Sequence, residues 1–226
     1  MDRKTYILCT DKPWHDQLFE KLHLRGQENW VRLRRKEELT IENLRILSPN
    51  KIFLPHWSHL IAKEIIEVFE CIIFHMTDLP YGRGGSPLQN LIIQGFNETK
   101  ISAIRADEGL DTGDIYLKKN LSLQGTAEEI FKRASDVIED MIMEIITLNP
   151  APQPQSGKPV IFKRRTPDMS DISSIEELNK LFDHIRMLDA EGYPHANLET
   201  NSFKLEFRNA QLKKNEIIAN VRIIKK

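Results

Sequence analysis

Apolar residues in the first two-thirds of the chain fall into short runs separated by polar stretches with helical spacing. Tyr6-Ile7-Leu8-Cys9-Thr10 is the first predicted strand, and Asp11-Lys12-Pro13 breaks it. Trp14 to Leu24 then carries Trp14, Leu18, Phe19 and Leu22 at the period of a helix. Trp30 to Leu33 and Lys51 to Pro55 read as further strands, and Leu60 to Phe69 as a helix with Leu60, Ile61, Ile65 and Val68 on one face. Cys71-Ile72-Ile73-Phe74 has the unbroken apolar character of a central strand and ends at His75. Pro87 opens a helix from Leu88 to Gln94, Lys100 to Arg105 is a strand, and Ile115 to Leu117 and Leu121 to Leu123 are extended. Thr126-Ala127-Glu128-Glu129 is a capping box that starts a long helix to about Thr147. Strands alternating with helices predict an α/β fold with a doubly wound, mostly parallel, Rossmann-like sheet. The turn after the first strand has no glycine, so the dinucleotide fingerprint is missing.

The pattern changes after residue 150. Pro150, Pro152, Pro154, Gly157 and Pro159 mark a linker or surface segment. Val160-Ile161-Phe162 is a short strand followed by the basic run Lys163-Arg164-Arg165. A helix predicted to start at Ser173 carries Leu178, Leu181, Phe182, Ile185 and Leu188, and Gly192-Tyr193-Pro194 stops it. Phe203 to Phe207 and Ile217 to Ile224 read as an extended, antiparallel pair. The expected organisation is a main domain over 1–150 and a small C-terminal α+β subdomain over 151–226.

Composition changes the picture only in part. Lys and Arg number 32 against 33 Asp and Glu, which argues against a partner held mainly through phosphates, so no nucleic acid is expected. Cys9 and Cys71 lie inside apolar runs and read as buried core residues; no Cys/His cluster has metal spacing, so no metal is expected. Met1-Asp2-Arg3-Lys4 leads straight into the first strand, and no apolar run is long enough to cross a bilayer. A cytoplasmic protein, away from membranes and either monomeric or homodimeric, is the expectation.

Candidate chemistry centres on Phe74-His75-Met76-Thr77-Asp78-Leu79-Pro80, continuing through Tyr81-Gly82-Arg83-Gly84-Gly85-Ser86-Pro87, and on Gly109-Leu110-Asp111-Thr112-Gly113. A histidine at a strand's carboxyl end with a carboxylate in a tight turn is, in outline, a general acid/base pair. On the residues alone His75 also suits a satisfied buried imidazole, and Asp111 an Asx-turn residue. The glycine-rich loop reads as a flexible turn or a phosphate cradle, although it lacks the ending of a P-loop.

These two motifs resemble the catalytic core of the N10-formyltetrahydrofolate-dependent formyltransferases: a histidine, a Leu-Pro loop with Arg83-Gly84, and Asp111-Thr112-Gly113 placed 36 residues after His75. The wording of the loop, together with Phe162 to Arg165 and Ile185 to Pro194, is similar to the sugar N-formyltransferase branch that acts in pseudaminic acid synthesis and to the formylation domain of linear gramicidin synthetase. The resemblance implies a formyltransferase fold, His75 and Asp111 as catalytic residues, and N10-formyltetrahydrofolate as co-substrate. Phe53, Leu54, Pro55, His56, Trp57, Arg105, Ala106, Asp107, Glu108 and Leu110 would then form the donor site. Trp57 would line a flat pterin or else be a core aromatic. Thr77, Arg83, Gly84, Gly85, Ser86, Pro87, Arg164, Arg165 and Tyr193 would border the acceptor. Arg164 and Arg165 suit a diphosphate but also a solvated basic run, and Tyr193 suits stacking on uracil or capping a helix end. The implied acceptor is the amine of a UDP-linked, less readily dTDP-linked, 4-amino-4,6-dideoxy sugar bound by residues 151–226. The alternatives are a methionyl-tRNA-type formyltransferase and a non-catalytic nucleotide-sugar-binding homologue. One departure stands out: the family's asparagine, two residues before the histidine, is Ile73 here.

Overall fold

The computed structural model describes residues 3–226, so Met1 and Asp2, part of the expected lead into the first strand, lie outside the described residues. The chain divides into two compact units. The first runs up to Gly84 and adds Thr99–Leu121 and Lys132–Ile161; the second comprises Gly85–Glu98, Ser122–Phe131 and Phe162–Lys226. A single boundary at residue 150 is therefore too simple. Two segments from the first 150 residues belong with the C-terminal part.

The first unit is built on a six-stranded sheet. Strands β1 (Thr5–Cys9), β2 (Asn29–Leu33), β3 (Lys51–Pro55) and β4 (Cys71–His75) are joined in the spatial order β2-β1-β3-β4. These four run parallel, with Tyr6 beside Trp30 and Lys51, and Pro55 beside Phe74. After β5 (Arg83–Gly84), strand β6 (Glu98–Arg105) pairs antiparallel with β4, placing His75 opposite Ser102; β7 (Ile115–Ser122) completes the sheet. A mostly parallel sheet is thus present. It merges the two expected extended pieces at 115–117 and 121–123 into one strand. The strand order reverses between β1 and β3, and ligands of open α/β sheets bind outside the carboxyl ends of the strands at such a switch point.

Burial explains the apolar runs. Ile7, Cys9, Ile52, Leu54 and Cys71 face a cluster that includes Leu39, Leu44 and Ile65, while Tyr6, Trp30, Phe53 and Phe74 pack ring against ring. The helices follow the pattern with shifts at their starts. A 3-10 turn at Pro13–His15 precedes α1 (Asp16–Leu24), which buries Leu18 and Leu22. Helix α2 (Ile41–Leu47), not expected from the sequence, is capped by the Thr40 hydroxyl on the Asn43 amide. Helix α3 (Lys63–Val68) starts three residues later than expected, because the segment before it is extended and Leu60 is 94% exposed. Helices α4 (Pro87–Ile93) and α5 (Ala127–Leu148) match their predicted spans closely, and the Thr126–Glu129 capping box forms as read.

The second unit carries helix α6 (Leu178–Arg186) and a three-stranded antiparallel sheet of β9 (Asn197–Glu199), β10 (Phe203–Leu212) and β11 (Ile217–Lys225), with β10 central. The short β8 is Ile161–Phe162. Helix α6 begins at Leu178 rather than Ser173; Asp171 and Ser173 instead close a local turn. Inside this unit the buried Arg186 pairs with Asp183 and donates to the carbonyls of Leu123 and Gly125. Among the described residues no helix is long and apolar enough to cross a membrane, and no group of His, Cys, Asp and Glu could hold a metal ion.

Candidate functional site

In the first unit, the carboxyl end of β4 sets His75 between two acceptors. Its Nε2 lies 2.8 Å from the Gly82 carbonyl oxygen, and its Nδ1 lies 3.5 Å from Asp111 Oδ2. A carbonyl only accepts, so the Nε2 position carries a proton. A ring with that single proton would turn a lone pair toward the carboxylate, whereas an imidazolium satisfies both neighbours. The couple is largely withdrawn from water, with His75 and Asp111 side chains 8% and 12% exposed, which strengthens their interaction.

The loop after His75 is tied down along its length. Thr77 is fully buried; its hydroxyl donates to the Gly82 carbonyl and its carbonyl accepts from the Ser102 hydroxyl. Lys118 and Lys100 flank Asp78 at 2.5 and 2.9 Å; burial opposes its ionisation, but the two ammonium groups outweigh it and hold the carboxyl below its usual range. Gly82 and Gly84 adopt positive φ, a conformation glycine takes without steric cost.

Asp111 sits in left-handed backbone, φ 53°, which is unusual away from glycine. Its carboxylate accepts from the Gly84 amide at 2.8 Å. Upstream, the Asp107 carboxylate accepts from the Gly109 amide and the Thr112 hydroxyl, closing the turn. A Cβ on Gly113 would fall 1.7 Å from the Arg105 carbonyl oxygen, so only glycine lets the chain return here. Gln155, which the proline-rich reading passed over as linker, binds both partners. Its Oε1 accepts from Arg83 Nε and Nη2 at 3.1 and 2.7 Å, and its Nε2 donates to the Asp111 and Gly113 carbonyls, each at 2.8 Å.

The residues expected to hold the donor divide into core and rim. Phe53, Leu54 and Pro55 are buried in β3, and Ala106 is buried just beyond the end of β6. Arg105, Asp107, Glu108 and Leu110 are exposed, with Glu108 paired to Lys63. Trp57 packs partly on the apolar cluster, edge-on to His59, and its indole N–H is buried without an acceptor among the described residues. His56 has φ 50°. Its Nδ1 receives the Trp14 indole N–H at 3.0 Å and lies 3.1 Å from His15 Nε2, while His15 Nδ1 is 2.9 Å from the Ser135 hydroxyl. Since an indole only donates, His56 Nδ1 accepts and its proton sits on Nε2. Burial, with Lys12 and His75 nearby, pushes the His56 imidazole down to about 3. Burial, with Arg32 and Lys12 nearby, pushes His15 well down too, so both rings are neutral near pH 7.

Ile73, where the family's asparagine falls, packs against the apolar cluster and supplies no polar group. In the second unit, a Cβ on Gly85 would fall 2.6 Å from Arg164 Cβ, and Ser86 Oγ, ahead of Pro87 at the start of α4, accepts from the Arg165 amide. The Arg165 guanidinium donates to the Met169 carbonyl, and the Tyr193 ring stacks on Phe131 with centroids 5.4 Å apart.

Fold and site together define an α/β protein with an imidazole–carboxylate couple fixed at the end of a central strand. Residues 18–146 match the formyl transfer family model described as formyl transferase, which spans more than half of the chain, and residues 167–224 match the model described as methionyl-tRNA formyltransferase, C-terminal domain. The chain belongs to the formyl transferase family. It is similar to the structure of a methionyl-tRNA formyltransferase from Clostridium thermocellum, with 49% identity and a TM-score of 0.95 across 99% of this chain and 100% of that one. It is also 30% identical to the methionyl-tRNA formyltransferase of Thermodesulfovibrio yellowstonii, over 67% of this chain and 52% of the relative. The chain spans about half the length, or less, of the curated relatives it matches.

These matches overturn the expected sugar acceptor. A sugar N-formyltransferase from Shewanella sp. shares the fold at a TM-score of 0.67 but only 14% identity, over 93% of this chain and 99% of that one. The UDP-sugar acceptor, the pseudaminic acid setting and the exclusion of nucleic acid all fall with this correction. The charge argument failed because net charge is a sum over the whole chain, whereas phosphate contacts depend on local cations; residues 151–226 carry more Lys and Arg than Asp and Glu.

Proposed function

We propose that this chain transfers a formyl group from N10-formyltetrahydrofolate to the amino group of methionyl-tRNA. The full-length likeness to the Clostridium thermocellum protein carries the choice of acceptor, and the His75–Asp111 couple supports the chemistry. The unprotonated amine attacks the formyl carbon, a C–N bond forms, and negative charge gathers on the formyl oxygen. As the bond to the folate nitrogen breaks, the amine sheds a proton and the leaving nitrogen takes one up. An imidazolium at His75 suits the developing oxyanion, and Asp111 stabilises that charged ring and accepts a proton directly or through water. The donor would be held by the segments 53–57 and 105–110. The partnerless buried indole N–H of Trp57 fits a ligand whose heteroatoms accept there.

The test is incubation with N10-formyltetrahydrofolate and methionyl-tRNA, followed by mass measurement of the released aminoacyl group. Formylmethionine should appear, and His75→Asn or Asp111→Asn should slow its formation by about 10²–10⁴. Absence of formylmethionine with the wild-type chain, under conditions where an established methionyl-tRNA formyltransferase produces it, refutes the assignment.

A further inference from the structure

We infer that Gln155 is a positioning residue for the formyl transfer proposed above, acting through Asp111. Its side-chain amide uses every donor and acceptor it has on the site. Two guanidinium donors of Arg83 meet its oxygen, and both hydrogens of its nitrogen are given to the carbonyls of Asp111 and Gly113. Those carbonyls flank the turn that carries the carboxylate facing His75. Asp111 is a non-glycine residue held in left-handed backbone, a conformation that persists only where surrounding contacts overdetermine it. Two contacts meet that condition: Gln155 holds the main chain of Asp111, and the Gly84 amide holds its carboxylate. The segment bearing Gln155 is itself anchored, because Gln153 exchanges both backbone hydrogen bonds with Ile115. Arg83 lies one residue before Gly84, so a single side chain sets the relative position of the carboxylate, the amide that receives it, and the cation beside them.

The chemistry at position 155 requires an amide. A glutamate would keep an acceptor for Arg83, but it would lose both donors and press a carboxylate against two carbonyl oxygens. An alanine would remove all four bonds. The inference rests on the formyl transfer reading for its kinetic arm and on geometry alone for its second arm.

The experiment compares Gln155→Ala and Gln155→Glu with the wild-type chain in two measurements. In the transfer assay kcat should fall about a hundredfold in both variants, while KM for the formyl donor changes less than about twofold, because the reacting groups are misplaced rather than the donor lost. In amide hydrogen exchange, the Gly84 N–H should exchange about tenfold faster in both variants, with the β4 amides unchanged, because its acceptor is Asp111. Unchanged Gly84 exchange in both variants overturns the inference, as does faster exchange with an unchanged kcat. Faster exchange spread equally over β4 also overturns it, since that reports loosening of the sheet. If the wild-type chain transfers no formyl group, the functional reading falls, while Gly84 exchange still reports whether Gln155 holds Asp111.

Discussion

The neutral pair His15 and His56 makes acid stability a direct test of the geometry. The perturbation is a drop from pH 7 to pH 5, made on the wild-type chain and on His56→Asn, asparagine being among the side chains that tolerate left-handed backbone. Burial holds the His56 imidazole down at about 3 in the folded chain, whereas an unfolded histidine titrates near 6.5. Between those values the unfolded chain binds a proton that the folded chain does not, so stability falls as acid is added. Integrated from pH 7 to 5, His56 alone should cost about 2 kcal/mol of folding free energy. His15, lowered for the same reason, adds in the same direction, as do the lowered His184 and His195. The carboxylates lowered in the folded chain, Glu38, Asp78 and Asp171, lose their contribution as pH falls through the ordinary carboxylate range, which lies below about pH 5, so the histidines dominate this window. The assay is urea unfolding at both pH values, with the m-value checked for constancy. His56→Asn should be less stable than wild type at pH 7, yet lose about 2 kcal/mol less between pH 7 and 5. Equal losses in the two proteins would refute the buried, neutral His56.

Three further outcomes follow from the same contacts. Gly113→Ala drives a methyl group into the Arg105 carbonyl and should destabilise by at least about 2 kcal/mol, read as a fall in Tm. Arg186→Met leaves two buried carbonyls and Asp183 without their donor and should cost about 3 kcal/mol in urea unfolding, far more than loss of an exposed pair such as Lys180–Glu177. Asp111→Ala should cost about 1.5–3 kcal/mol, because it strands the Gly84 amide and leaves alanine in left-handed backbone; Asp111→Gly should recover part of that stability without recovering transfer activity.

The sheet was legible because its strands are buried on both faces and read as continuous apolar runs; Ile7, Leu8, Ile52, Phe53 and Leu54 are all inaccessible to water. The helix starts were less so. The apolar residues Leu60 and Ile175 lie at helical spacing but ahead of α3 and α6, the first in an extended segment and the second beside the turn closed by Asp171 and Ser173. Helix α2 escaped notice because it buries one residue, Leu44, although Thr40 was an available capping signal. In the site, His75 and Asp111 could be found from sequence because each sits in a motif dense with glycine and proline. Gln155 could not, because an uncharged amide in a proline-rich stretch carries no pattern of its own. The acceptor was misread because the loop around His75 serves the shared transfer chemistry, and its wording does not encode what delivers the amine.

The geometry also bears on how the site works without the family's asparagine. Ile73 is committed to apolar packing, so no neighbouring side chain on β4 assists His75. The remaining polar order comes from two residues in left-handed backbone, His56 and Asp111, each fixed by hydrogen bonds from distant parts of the chain. Such strain persists only where the surroundings outweigh it, at about 1–2 kcal/mol per residue. Of the two, His56 is held neutral by burial, and Asp111 sets a carboxylate oxygen 3.5 Å from His75 Nδ1. The formyl transfer proposed above would draw on that couple, with the Gly82 carbonyl releasing Nε2 of His75 when substrate arrives.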